Sequence, residues 1–413
     1  MAAKNIVVLG TLDTKGEQIL FLKERIAKRG HQAIVVDLSM GGEPLFQADI
    51  TPEEIARTAG KSIEEIMASK DRSMVTQVME AGAIKKIGEL YSDQKVDGII
   101  AVGGASMALM GAHIMEGFSF GMPKIIVCPA AMPAYISYWF GTMDVAIMQS
   151  IVEFAGLNDL LKDVLARTAG AICGMAEEAS PPGTLRVPRG SIAITQFGFS
   201  DSCARYVRQY LEERGYVVYP FHAQGISDRA MDSLIDQGYF DGVIDIVPAG
   251  VIEEIFEGNR AAGTKRLEAA VKRGIPQVIA PCSINITGCG ITRKHREKYA
   301  SRERVLKIDE IRAMTRFNAD ELRIGAKVYA EKLNKAKGPV KILIPTRGWS
   351  SLDREGSILH SPEEDRVFVD ELGRNIKPEI EIEELDFHLE DPPFALALVE
   401  KLEALNKGNA ATK

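Results

Sequence analysis

Paired cysteines are the first thing this 413-residue chain lacks. Its five cysteines, Cys128, Cys173, Cys203, Cys282 and Cys289, form an odd set without a Cys-x-x-Cys pair, which fits buried free thiols in a reducing compartment. Cys282 and Cys289 stand too far apart in sequence for a zinc hairpin, so no cysteine-held metal site is expected. Apolar runs such as Ile125 to Pro129 have strand length and fall well short of the ~20 residues that span a bilayer. Membrane insertion is therefore not expected. The opening Met1-Ala-Ala-Lys-Asn-Ile-Val-Val shows no basic region, apolar core or cleavage site of a secretory signal, which makes the expected location cytoplasmic. An excess of basic charge is also missing: 50 Lys plus Arg face 57 Asp plus Glu, interspersed, for a net charge of −7. That composition argues against a nucleic acid or an anionic membrane as partner.

What the chain does have is length and rhythm. Its length exceeds the roughly 250 to 300 residues at which one hydrophobic core stops growing, so two domains are expected. The first half alternates short β-branched runs (Ile6 to Leu9, Ala33 to Val36, Gly98 to Val102, Lys124 to Val127) with helical patterns at Lys15 to Arg29, Ile63 to Ala68, Ser73 to Tyr91 and Leu157 to Arg167. Such alternation predicts a parallel sheet covered on both faces. A Pro- and Gly-rich stretch from Ala179 to Gly190 reads as a linker, placing domains at 1–180 and 181–413. Beyond it the pattern resumes with strands at Ile192 to Thr195, Val217 to Phe221, Val243 to Val247, Gln277 to Ala280, Val340 to Pro345 and Ile380 to Leu385. The predicted fold class is α/β: two Rossmann-like, doubly wound parallel-sheet domains with a cleft between them. Residues 286–319, charged and weakly periodic, read as an excursion that covers the cleft or makes a subunit contact.

In open parallel sheets ligands bind beyond the carboxyl ends of the strands, where loops meet helix N-termini. After the first strand comes Gly10-Thr11-Leu12-Asp13-Thr14-Lys15-Gly16. Phosphate suits Gly10, Thr11, Thr14 and Lys15, and Asp13 suits a magnesium ion or a hydroxyl; N-capping by Asp13 or Thr14 is the structural alternative. Asp37 ends the second strand at the position of a ribose-binding acid. Gly103-Gly104-Ala105-Ser106 enters a helix with anion-binding geometry, Gly103, Gly104 and Ser106 being the candidates, against a plain tight turn. The loop Cys128-Pro-Ala130-Ala131-Met132 offers shape but little polarity.

In the second half, Phe221-His222-Ala223-Gln224-Gly225 makes His222 the acid/base candidate among six histidines. Asp245, Cys282-Ser283-Ile284-Asn285, Ser351, Asp353 and Gly356 also lie at or after strand ends. Gly258-Asn-Arg-Ala-Ala-Gly263-Thr264-Lys265 has the glycine spacing of a P-loop, but its Thr precedes its Lys and it follows a helical pattern, so a Walker site is rejected.

The Gly10-to-Glu17 opening, Ala155-Gly-Leu-Asn158, Phe221-His-Ala223, Arg266-Leu-Glu-Ala-Ala270 with Gly274-Ile-Pro-Gln-Val278, and Ser351-Leu-Asp353 resemble one family over nearly the full length. It is the Tm-one-like ATP-binding domain family, typified by a tomato mosaic virus resistance protein. The resemblance implies two Rossmann-like domains, ATP with magnesium in or near the first, and a homodimer. This chain departs from the family's pattern at Ala105-Ser106, at Ala130-Ala131-Met132 where Ser-Gly-Asp is usual, at Gln224 and at Cys282-Ser-Ile-Asn285. Three function classes remain open. The first is an ATP- or nucleotide-binding protein acting on a small anionic metabolite in the cleft, with His222 facing the ligand; the second is a non-catalytic two-lobed binding or regulatory protein; the third is a nucleotide-independent enzyme on a carbonyl or phosphorylated compound, using His222 with Asp245 or Asn285.

Overall fold

The computed structural model describes residues 2–130, 139, 141–180 and 187–410. The chain forms two compact units, Met1–Arg186 and Val187–Lys413. Ala131, Met132 and part of the predicted linker lie outside the described residues.

In unit 1, strands β1 (Asn5–Gly10), β2 (Gln32–Asp37), β3 (Gly98–Val102), β4 (Lys124–Cys128) and β5 (Ala146–Gln149) form a sheet in the order β2-β1-β3-β4-β5. All pairs are parallel, with Leu9 opposite both Val36 and Ala101. Because successive side chains point to opposite faces, each apolar strand feeds two cores. Ile6, Val8, Ile100, Val102, Ile125 and Val127 pack under helices Leu12–Ala27 and Asp159–Glu178. Val7, Leu9, Ile99, Ala101 and Ile126 pack under Pro52–Thr58, Arg72–Ser92 and Ala105–Glu116. The inner strands β1, β3 and β4 are near-continuous apolar runs because neither face meets water.

Caps fix where these helices begin. Thr51 and Ser62 form capping boxes with Glu54 and Glu65, and Asp71 and Asn158 accept from the N–H groups of Met74 and Leu161. Gly82 lets two helices cross closely, since a Cβ there would stand 2.2 Å from the Ile55 carbonyl oxygen.

Unit 2 repeats the plan on a larger scale. Strands β6 (Ser191–Gln196), β7 (Val217–His222), β8 (Gly242–Asp245), β9 (Gln277–Ile279), β13 (Val340–Pro345) and β14 (Glu381–Leu385) form a second parallel sheet, in the order β14-β13-β9-β8-β6-β7. Helices Asp201–Glu213 and Pro392–Ala410 lie on one face; Ile226–Gln237, Glu268–Arg273, Ala319–Leu333 and Pro362–Asn375 lie on the other. Pro220, which cannot donate to a ladder, sits in the edge strand β7, where it is tolerated. Both sheets are of the doubly wound, Rossmann-like type expected from the sequence.

The weakly periodic segment is ordered and belongs to unit 2. Strands β10 (Ile286–Gly288), β11 (Val305–Lys307) and β12 (Ala313–Arg316) make a small antiparallel sheet in the order β10-β12-β11. Its strands of three and four residues are too short for periodicity to register. No helix among the described residues is long and apolar enough to cross a membrane.

Candidate functional site

The order β2-β1-β3-β4-β5 reverses between β1 and β3, and ligands of open parallel sheets bind outside the strand ends at such a switch point. The two glycine-flanked loops chosen from the sequence emerge there side by side: a Cβ on Gly10 would lie 3.3 Å from the Val102 carbonyl oxygen. The first helix, however, starts at Leu12 rather than Lys15, with a kink at Lys15 (φ −127°, ψ 19°). The earlier start has a cause in the β2 loop. Asp37 Oδ1 accepts from the Leu12 N–H at 3.0 Å and Ser39 Oγ from the Asp13 N–H at 3.3 Å, capping the helix from outside its own sequence. Asp37 is buried, and its Oδ1 also takes the Ser39 N–H and hydroxyl.

The remaining candidates of unit 1 divide into committed and open groups. Lys15 Nζ donates to the Phe154 carbonyl at 2.8 Å. Thr11 and Thr14 share a hydroxyl contact of 2.7 Å, and Asp13 Oδ1 accepts from Ser39. Neither Asp13 nor Thr14 caps the helix. Gly42 passes so close to Asp13 that a Cβ would stand 2.7 Å from Oδ2. The Gly103 N–H is used by the Val127 carbonyl, whereas helix Ala105–Glu116 begins with no side-chain cap, and Ser106 in its first turn is exposed.

In unit 2 the sheet reverses between β6 and β8. A cavity of about 360 Å³, within the range of small-molecule sites, opens beside β6 and β7. Phe197, Phe199, Ile308, Ile311 and Met314 give it apolar walls; His222, Gln224, Asn259, Arg260, Thr292 and Arg312 supply the polar groups. Gly225 makes part of this possible. At φ +93° and with the Ala261 carbonyl oxygen 2.5 Å from where a Cβ would be, it brings the His222–Gln224 turn against the Asn259–Arg260 segment. His222 is exposed and meets Phe197 edge-on at 6.0 Å.

Asp245 and Asn285 line no part of this cavity and are tied up elsewhere. Asp245 accepts from Thr195 and Arg266, each at 2.8 Å, in a buried cluster with Asp228 and, 3.7 Å from the guanidinium, Asp232. Burial pushes the Asp228 carboxyl upward and Asp232 to about 7, against the pull of Arg266, whose own pKa its three carboxylates raise. Asn285 donates to Asp353 and Asp365 at 2.7 and 2.8 Å, Arg316 pairs with Asp365 and Glu364, and His360 lies 3.3 Å from Asp353. This second cluster fastens the small sheet to the loops after β9 and β13. Burial raises Asp365 to about 7 and Cys282 to about 12, leaving an inert thiol there. Ser283 is buried in the left-handed region (φ 58°) and Ser351 is held by its N–H to the Phe199 carbonyl. These strand-end residues therefore serve the framework.

Arg260 escaped the sequence reading. It lies inside the rejected P-loop look-alike, which does follow a helix, Gly250–Ile255. The available signal was an arginine between Gly258 and Gly263, but only the tertiary fold turns it toward a cavity.

The UPF0261 N-terminal domain model matches residues 4–181 and the UPF0261 C-terminal domain model matches residues 189–406, both described as an uncharacterised protein family. The chain belongs to the UPF0261 family. A UPF0261 protein of Clostridium tetani is 34% identical, covering 97% of this chain and 98% of its own length. One from Brucella suis is 30% identical, covering 98% of each. The ToMV resistance protein Tm-1(GCR237) of Solanum lycopersicum is 26% identical over 96% of this chain and 55% of its own length. The resemblance read from the sequence thus holds as family membership, with the tomato protein a more distant and longer relative.

Proposed function

We propose that this UPF0261 protein binds a nucleotide through unit 1, with its phosphates at the C-terminal ends of β1 and β3; ATP with magnesium is the form implied by the resemblance. The observation that carries the reading is the switch point, which sets Thr11 to Thr14 beside the uncapped start of helix Ala105–Glu116. Helix N-termini favour anions through their unpaired N–H groups and dipole. Because Asp37 and Ser39 already take the first N–H groups of helix Leu12–Ala27, the phosphate site falls to the Gly104–Ser106 turn and to the Thr11 and Thr14 hydroxyls. Asp13 fits a magnesium ion, which usually takes one or two carboxylates plus phosphate oxygens. Asp37 is then a scaffold for the loop, and Lys15 contributes only after leaving the Phe154 carbonyl.

Calorimetric titration with ATP and magnesium tests this, run on the wild type, Asp13→Ala and Ser106→Asp. Ser106→Asp places a negative charge where the helix dipole welcomes it, so the fold is kept while phosphate is repelled. Loss of about tenfold or more in affinity is expected in both variants. Wild-type affinity retained in both would remove the site from unit 1.

A further inference from the structure

The cavity of unit 2 has a charge imbalance that the nucleotide reading does not use. The chain as a whole is acidic, at −7, yet no Asp or Glu lines this cavity, while His222 and two arginines do; Arg312 is answered by Asp309 at 2.7 Å, which leaves Arg260 as the arginine to account for. Arg260 is 5% exposed. Its Nε and Nη2 reach Glu253 at 3.2 and 2.7 Å, Nη2 also reaches the Ile286 carbonyl at 2.7 Å, and Nη1 is buried without a hydrogen-bond partner. Glu253 is fully buried and is shared with Arg293 on its other oxygen at 3.3 Å, so one carboxylate faces two buried guanidinium groups. A net positive charge is left inside, with one nitrogen unsatisfied. Leaving a buried donor unpaired is unfavourable, more so when it is charged, and a partner that brings an anion offsets it.

From this we infer that the unit 2 cavity is a binding site for a small organic carboxylate, its head near Arg260 and its apolar body between Phe197, Ile308 and Met314. A single negative charge is the better match. Arg260 has one nitrogen without a partner, which matches one carboxylate oxygen rather than a dianion. The site depends on the small antiparallel sheet, because Gly288 of β10 and Met314 of β12 form its wall.

The test is calorimetric titration of the full chain with acetate, benzoate and naphthoate, beside neutral benzamide and dianionic phenyl phosphate. Benzoate should bind saturably, about tenfold or more tighter than benzamide, as expected for a charge-assisted contact, and tighter than phenyl phosphate. Gly288→Leu should abolish binding without unfolding, because a Cβ at Gly288 meets nothing nearer than Asn259 Nδ2 at 3.8 Å while the longer side chain fills the cavity. Arg260→Gln should remove the preference for benzoate over benzamide; if loss of the Glu253 contact unfolds that variant, Gly288→Leu decides alone. Absence of saturable binding by all three carboxylates, equal affinity for benzamide, tighter binding of phenyl phosphate, or unchanged binding in Gly288→Leu would each overturn the inference. None of these outcomes depends on nucleotide binding in unit 1.

Discussion

Replacing Arg266 by Met tests whether the buried carboxylates behind β8 are a framework held by one cation. Arg266, Asp228 and Asp245 are all fully enclosed, and Arg266 touches Asp228, Asp232 and Asp245 at 3.3, 3.7 and 2.7 Å. Methionine roughly keeps the volume but strands three carboxyl groups. Removing one partner of a buried pair typically costs about 3–5 kcal/mol. For a domain of this size that is a fall in melting temperature of roughly 6–20 °C, at about 2–4 °C per kcal/mol.

The pH dependence separates charge from packing. Asp232 titrates at about 7 in the fold and near about 3.9 in the unfolded chain, so between those values the folded state keeps a proton that the unfolded state has lost. Its contribution to stability is full below pH ~4 and is lost as pH rises through ~7. Without Arg266 the Asp228 and Asp232 carboxyls are pushed higher still and are neutral in mild acid. Scanning calorimetry at pH ~8 should therefore show the full loss, and at pH ~5 less than half of it. An equal loss at both pH values would mean that lost packing, not stranded charge, destabilises the variant; no loss at either would dismiss the cluster as a framework.

Two glycines of helix Arg72–Ser92 should respond in opposite directions. Gly88→Ala meets nothing within 4 Å and should stabilise by about 0.5–1 kcal/mol through helix propensity, whereas Gly82→Ala drives a methyl into the Ile55 carbonyl and should destabilise by about 1–3 kcal/mol; thermal melts of the two variants would read the sign. All five cysteines are buried, so a thiol reagent should label none of them quickly in the native protein and all five in denaturant. Rapid native labelling of Cys282 would contradict its raised pKa and enclosure. In the same spirit, Asn285→Ala removes the donor shared by Asp353 and Asp365 and should destabilise unit 2 by about 1–3 kcal/mol, with the loss smaller in mild acid because Asp365 is then protonated.

The sequence alone determined the strands and most helices of both sheets, because buried parallel strands are written as unbroken apolar runs and their helices as amphipathic ones. Gly98–Val102, Ile63–Ala68 and Val340–Pro345 were legible to the residue. That loops after β1 and β3 lead straight into helices was legible too, since strand–loop–helix order is local information. What the sequence could not carry was the partner of each polar side chain. Asp37 became a helix cap, Lys15 a tether to Phe154, and Asp245 and Asn285 members of buried clusters, each through a contact reaching across 20 or more residues of chain. Helix Ala319–Leu333 went unread although its capping box, Asn318 with Glu321, was present. The unit 2 cavity belonged wholly to tertiary structure. Short antiparallel strands leave no periodic trace, and an arginine becomes a ligand-binding candidate only when folding encloses it, satisfies two of its nitrogens and leaves the third without a partner.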